Sequence, residues 1–178
     1  LVTGGGALFA AFPHVYATVF SGFYTALMLL LVTLIFRAVA IEFRSKQPMQ
    51  WWRNAWDIAF SVSSIAIALV MGTALGNLIV GVPVQADKEL SISLLEILNP
   101  FSLMVGITTV ALFMMHGAIY LTMKTDGVVQ ETARGWVNNT IIFFVIMYVT
   151  TTMITLVFFP HMVEPFKQHP WLFGVAIL

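Results

Sequence analysis

The segment from Asn99 to Gly127 constrains the fold of this chain more than any other. An apolar stretch lies between a helix-start signal, Asn99-Pro100, and a helix-end signal, Lys124 followed by Gly127. Asparagine favours the N-cap position, and proline suits the first helical position, where its missing N–H costs nothing. A lysine in the last turn and a glycine just beyond it are typical of a helix C-terminus. The roughly 25 residues between these signals would form a helix long enough to cross a bilayer.

Three further apolar segments have a similar length. We predict spans at about 16–41, 56–80, 100–123 and 137–159, and the start of another at 171. The chain is 60% hydrophobic and only 9% charged, whereas a soluble domain has about 25% charged residues. The predicted fold class is therefore all-α, a polytopic transmembrane helix bundle, with residues 1–178 forming a single integral-membrane domain. Because the chain opens without Met and stops inside a new apolar run, we expect it to be an internal piece of a larger protein.

Charge and cysteine content exclude several classes of function. The net charge is +0 and there are no cysteines, so the sequence offers neither a basic patch for nucleic acid nor a thiolate metal site. The basic residues are unevenly distributed between the loops, and loops rich in Lys and Arg face the cytoplasm. The loops after the first and third spans carry Arg44, Lys46, Arg53, Lys124 and Arg134, whereas the other two loops carry Lys88 and Lys167. The first span is therefore predicted to run towards the cytoplasm.

Small and hydroxyl residues predict how the helices pack. Gly72 and Gly76 are four residues apart, so the second span can bring its backbone close to a neighbouring helix. The hydroxyl groups near the outer end of the fourth span can bond to the backbone one turn back or to another helix; they belong to Thr150, Thr151, Thr152 and Thr155. Trp51, Trp52 and Trp56 form a predicted interfacial belt at the start of the second span.

Several motifs together resemble the second subunit of cytochrome bd-type quinol oxidases. Each motif alone would be weak, but together they agree in order and spacing from Gly4 to Gly127. They are Gly5-Gly6-Ala7-Leu8-Phe9-Ala10-Ala11-Phe12-Pro13, Tyr16-Ala17, Phe20-Ser21-Gly22-Phe23-Tyr24, Phe36-Arg37, Glu42-Phe43-Arg44-Ser45-Lys46, Trp52-Arg53, Trp56-Asp57 and the Asn99 to Gly127 segment. From Val128 onward the similarity is mainly one of hydropathy.

The resemblance implies a multi-pass subunit in the bacterial inner membrane, belonging to an enzyme that oxidises ubiquinol or menaquinol and reduces dioxygen to water. In that family two b-type haems and one d-type haem, with the quinol-oxidising site, belong to the larger subunit I. This chain would then bind no cofactor alone and hold no catalytic or metal-ligating residue. Its implied partners are subunit I, quinone or quinol, and lipid, and a structural quinone is found in some members.

Four polar residues are candidates for a functional role. Arg37 is a charge in a membrane helix, which suggests contact with a quinone headgroup or a polar partner, although snorkelling to the headgroups is the alternative. Glu42 and Asp57 are candidates for a proton route near the same interface. The simpler interpretation makes Glu42 a solvated carboxylate and places Asp57 in the first turn of its helix, where the helix dipole stabilises an anion.

His116 lies deep in the third span next to Met114 and Met115. Histidine and methionine are haem axial ligands, and a histidine at this depth could also join a proton route. We nevertheless favour a hydrogen bond from His116 to a neighbouring helix.

Two other classes of function stay open. In a transporter, Arg37, Asn77, His116 and Asn138 would line a path, but no midspan proline marks the broken helices typical of that class. A purely structural bundle is the other alternative, and only the family motifs argue against it.

Overall fold

The computed structural model describes residues 2–81 and 98–159, and this part of the chain is all-helical. Its helices are α1 (Val2–Ala11), α2 (Pro13–Gly22), α3 (Tyr24–Arg44), α4 (Gln50–Val80), α5 (Pro100–Lys124) and α6 (Val128–Phe158). Four of them, α3 to α6, are long and apolar enough to cross a membrane. The predicted fold class and number of spans are therefore confirmed. Two of the loop lysines, Lys88 and Lys167, and the predicted start of a further span at 171 lie outside the described residues.

The first predicted span is not one continuous helix. Phe23 separates α2 from α3 with φ −95° and ψ 16°, so the spanning helix begins at Tyr24 and not at residue 16. Phe23 is only 4% exposed and packs with Ala26, Val70 and Ala74. Burial of this aromatic ring against α4, directly after the weak helix former Gly22, accounts for an interruption that hydropathy does not reveal.

Two helices are longer than the apolar segments that they contain. Both α4 and α6 contain 31 residues and are therefore about 46 Å long, against about 30 Å of hydrocarbon. Each begins several residues before the apolar segment, at Gln50 and Val128. Hydropathy identifies the apolar segment of each helix that suits lipid. The helix itself extends further, because backbone hydrogen bonds continue through the polar residues that precede this segment.

The chain divides into two compact units, Leu1–Val110 and Ala111–Leu178. In the first unit α3 packs along α4, and α4 contacts the beginning of α5. In the second unit the remainder of α5 is tied to α6, because the Gln130 side chain donates a 3.1 Å hydrogen bond from Nε2 to the Thr122 carbonyl. Gly127, with φ +68°, forms the turn between these two helices, a backbone conformation that glycine adopts without strain.

Glycines let α4 and the first part of α5 approach through their backbones. A Cβ built on Gly76 would lie 2.6 Å from the Ser102 Cα, and one built on Gly72 would lie 2.7 Å from the Gly106 Cα. A Cβ on Gly106 would in turn lie 3.0 Å from the Leu69 carbonyl oxygen. The close approach predicted from Gly72 and Gly76 is confirmed, and Gly106 supplies the matching surface.

Hydrogen bonds between polar side chains link α4 and α5 where α5 begins. The predicted N-cap is confirmed, since the Asn99 Oδ1 accepts a 2.8 Å hydrogen bond from the Ser102 backbone N–H. The Asn99 amide donates to the Asn77 Oδ1 at 2.8 Å, and the Asn77 amide donates to the Thr73 carbonyl at 2.8 Å. The cap of α5 is thereby joined to the buried polar face of α4.

The hydroxyl residues of α6 behave as the sequence predicts. Thr150, Thr152 and Thr155 each donate a hydrogen bond to the carbonyl one turn earlier, at 2.7 to 2.8 Å. These bonds satisfy the hydroxyl groups without a partner helix.

Candidate functional site

Polar side chains gather where α3 ends and α4 begins. Arg44, the last residue of α3, meets Asp57 of α4 in a two-point contact, with Nε 2.5 Å from Oδ1 and Nη2 3.1 Å from Oδ2. The planar guanidinium matches the carboxylate in this fork geometry. Both side chains are about half exposed, so the pair lies at the rim of the helix hairpin and not in its interior.

The position of Asp57 corrects one sequence-based expectation. Because α4 begins at Gln50 and has no acidic residue in its first turn, Asp57 lies about two turns into the helix. The helix dipole is weak at that depth, since its effect falls off within the first turn. Arg44, and not the helix N-terminus, therefore provides the positive charge that stabilises this carboxylate.

Tryptophan side chains of α4 contact the end of α3 in the same hairpin. The indole N–H of Trp52 donates a 2.8 Å hydrogen bond to the carbonyl of Phe43 near the end of α3, which also accepts a 3.1 Å hydrogen bond from the Lys46 backbone N–H. The Trp56 ring lies 5.5 Å from the Phe43 ring and 5.7 Å from the Trp52 ring, and Trp51 contacts Trp52 edge-on. The aromatic cluster predicted as an interfacial belt thus also holds the end of α3 against α4.

The other two polar candidates of this hairpin have separate partners. Glu42 lies 3.0 Å from the Lys46 Nζ one turn away. Arg37 places its guanidinium carbon 5.3 Å from the centre of the Phe60 ring on α4, a cation–π contact. No hydrogen bond or ion pair joins Arg37, Glu42 and Asp57 to one another within the described ranges.

His116 belongs to the second unit and is exposed there. No hydrogen bond to His116 occurs within the described residues, so the predicted contact with a neighbouring helix stays a prediction. The same holds for its role in a proton route. Residues 2–81 and 98–159 contain no group of three or more His, Cys, Asp or Glu side chains that could hold a metal ion.

The contacts of Asp57 and Arg37 were not predicted from the sequence. Arg44 is the counter-ion of Asp57, and Phe60 is the ring beneath Arg37. The pairing of Arg44 with Asp57 could have been predicted, because these opposite charges lie on either side of a short polar loop between two apolar helices. The contact of Arg37 with Phe60 depends on the rotation of α4 relative to α3, which hydropathy does not specify.

These features define a multi-pass α-helical membrane protein, with polar side chains paired near the ends of its helices and a glycine-lined helix contact. The family model of cytochrome bd terminal oxidase subunit II matches residues 1–178, and the chain belongs to this family.

Individual relatives give the same result. Cytochrome bd-I ubiquinol oxidase subunit 2 of Escherichia coli (strain K12) is 46% identical over 138 residues, which are 75% of this chain and 36% of the relative. Probable cytochrome oxidase subunit 2 of Haemophilus influenzae is 42% identical over the same shares. Cytochrome bd ubiquinol oxidase subunit 2 of Bacillus subtilis is 37% identical over 134 residues, 75% of this chain and 40% of the relative. The match therefore covers well under half the length of each of these relatives.

Proposed function

We propose that this chain is part of subunit II of a cytochrome bd-type terminal quinol oxidase. It would support the haem-bearing subunit I in quinol oxidation and in reduction of dioxygen to water in the aerobic respiratory chain. The observation that carries this proposal is the family match over residues 1–178, together with relatives named as ubiquinol oxidase subunits. The proposed location is the bacterial inner membrane, with the α3–α4 and α5–α6 turns on the cytoplasmic side.

The haems, of b and d type, are assigned to subunit I in this proposal. Haem supplies the electron transfer and oxygen chemistry of such an enzyme. The residues of this chain fit a haem poorly, because His116 lies on an exposed helix face and the described residues supply no ligand cluster around it. Apolar side chains of α6 such as Ile142, Ile146 and Met153 are exposed within this chain, which supports a role in contacts with other protein or with lipid.

Arg37 is the proposed contact for a quinone headgroup or another polar partner. A charge in a membrane helix is costly unless it is paired, and no carboxylate lies within salt-bridge distance of Arg37 among the described residues. Its guanidinium lies at the Phe60 ring, which leaves its hydrogen-bond donors available for a polar group. Glu42, Asp57 and His116 are the proposed members of a proton route.

A visible difference spectrum tests the proposed function. The full-length protein is purified through a tag, and the dithionite-reduced minus oxidised spectrum is recorded. We expect bands of b-type and d-type haem together with a co-purifying larger subunit. A folded but colourless preparation without a partner would contradict the proposal.

Substitution of Arg37 tests its role separately. Arg37→Ala should lower quinol oxidase activity or the yield of assembled complex, because a polar partner would be left uncompensated. Arg53→Ala is the matched control, since Arg53 is an exposed arginine of the same hairpin. Wild-type activity, yield and quinone content in Arg37→Ala would refute a special role for Arg37.

A further inference from the structure

An apolar groove runs between α5 and α6 within the second unit. Its volume is about 580 Å³. Phe113, Gly117 and Leu121 line it from α5, and Trp136, Asn139 and Thr140 line it from α6. A Cβ built on Gly117 would find no atom within 4 Å, so this glycine leaves open space in the wall. None of the residues proposed for a quinone contact or a proton route lines this groove.

The dimensions of the groove favour a single hydrocarbon chain. Phe113 and Leu121 are eight residues apart, about 12 Å along the helix, and one leaflet of the hydrocarbon core is about 15 Å deep. An extended acyl chain matches this length.

Charge at the end of the groove indicates the headgroup. Lys124 lies three residues beyond Leu121 and seven beyond Gly117, which places it on the groove face of α5. It is exposed, and no carboxylate lies within salt-bridge distance of it in the described residues. Asp126 follows in the turn, and Glu131 is five residues before Trp136 and so lies off the groove face of α6.

Two further donors lie along the groove. The indole N–H of Trp136 and the side-chain amide of Asn139 are both exposed, and neither forms a hydrogen bond within residues 98–159. Tryptophan favours the border between hydrocarbon and headgroups, where its ring is apolar and its N–H reaches polar atoms. A phospholipid offers phosphate and ester oxygens as acceptors for such donors.

We infer that the α5–α6 groove binds one anionic phospholipid, with an acyl chain along Phe113, Gly117 and Leu121 and the phosphate near Lys124. The site is independent of the oxidase reaction, because it needs no haem, quinol or proton route. Its occupancy is therefore measurable whether or not the complex turns over.

A groove-filling variant tests this site. The full-length complex carrying Gly117→Leu is reconstituted in nanodiscs of phosphatidylethanolamine and phosphatidylglycerol, and retained phospholipids are counted by native mass spectrometry. Each methylene excluded from an apolar site weakens binding about fourfold, so the four carbons of leucine should weaken it roughly two hundredfold. Gly135→Leu is the matched control, because a Cβ there also meets no atom within 4 Å but Gly135 does not line the groove.

The headgroup is tested through Lys124. Lys124→Gln should reduce the preference for phosphatidylglycerol over phosphatidylethanolamine about fivefold, the effect of one interfacial charge. Lys46→Gln, at the other hairpin, should leave that preference unchanged. Equal phospholipid retention in wild type and Gly117→Leu would overturn the proposal, as would release of a quinone instead of phospholipid. Loss of a protein subunit with an unchanged lipid count would also overturn it.

A second measurement applies if Gly117→Leu does not assemble. Brominated phosphatidylglycerol should quench the fluorescence of the wild-type complex more than brominated phosphatidylethanolamine, and Trp136→Phe should abolish the difference. Quenching that does not depend on the headgroup would overturn the proposal.

Discussion

The contact between α4 and α5 through Gly76 leads to a sharp stability prediction. A methyl group at this position would lie 2.6 Å from the Ser102 Cα and 3.1 Å from the Val105 Cβ. Carbon atoms in favourable contact are about 3.5 to 4.0 Å apart. Gly76→Ala therefore requires α5 to move away from α4 by roughly 0.9 Å or more. The nearest atom belongs to the backbone, so a side-chain rotation cannot relieve the clash.

Two opposing terms set the size of the effect. Overpacking of this kind costs about 1 to 3 kcal/mol, whereas replacing a helical glycine by alanine gains up to about 1 kcal/mol of helix propensity. We expect Gly76→Ala to lower the free energy of unfolding by up to about 2 kcal/mol. Gly135→Ala is the matched control, because its Cβ meets no atom within 4 Å and only the propensity gain remains.

The difference between the two variants isolates the helix contact, since the propensity term is common to both. It should be about 1 to 3 kcal/mol, a factor of roughly 5 to 150 in the folding equilibrium constant. Titration of the full-length protein with SDS in mixed micelles, followed by tryptophan fluorescence, measures it. Equal stability of Gly76→Ala and Gly135→Ala would refute the close packing of α4 against α5 at Gly76.

Other side chains give further tests. Asn99→Ala should destabilise the protein by about 2 kcal/mol, and Asn99→Ser by about half as much because serine keeps the cap but not the amide donor, in the same SDS titration. An unchanged stability of Asn99→Ser would contradict a role for the bond to Asn77, and equal losses in the two variants would contradict a role for the cap. Ser102→Ala should be tolerated within about 0.5 kcal/mol, since the Ser102 Oγ is buried with no partner among the described residues. A loss above about 1 kcal/mol would show that this hydroxyl has a hydrogen-bond partner after all. Arg44→Lys should lower the Tm of the complex less than Arg44→Ala, because lysine keeps the charge opposite Asp57 but not the fork; the same Tm loss in both variants would show that only the fork geometry matters. His116→Gln should leave every haem band in the reduced-minus-oxidised spectrum, whereas loss of one band with subunit I still present would make this histidine a ligand.

Local chemistry predicted α5 well. Its start at Pro100, its cap at Asn99 and its end at Lys124 follow from residues adjacent in sequence, because capping depends on groups within one turn. The helices α3 and α4 begin at residues other than the first residues of the predicted apolar spans. Phe23 interrupts the first helix through its burial against α4, and α4 begins at Gln50 because helical hydrogen bonding continues beyond the apolar segment.

For the polar residues, too, local contacts could be predicted from the sequence and contacts between helices could not. Arg37, Glu42 and Asp57 were recognisable as unusual from their types and positions, but their partners were not. Glu42 pairs with Lys46 one turn away, a spacing that sequence can supply. The partners of Asp57 and Arg37 lie on the other helix of the hairpin, and the roles proposed for these three residues and for His116 are still predictions.

Neighbouring residues carry hydropathy, caps and motifs, and these were enough to predict the family and the four long apolar helices of the described residues. Three features became visible only when the helices were packed together. Gly106 lies opposite Gly72, Arg44 pairs with Asp57, and Gly117 and Trp136 border a groove. Each of these depends on how one helix is rotated and shifted against another. Many side chains far apart in sequence set that rotation together, so no local pattern specifies it.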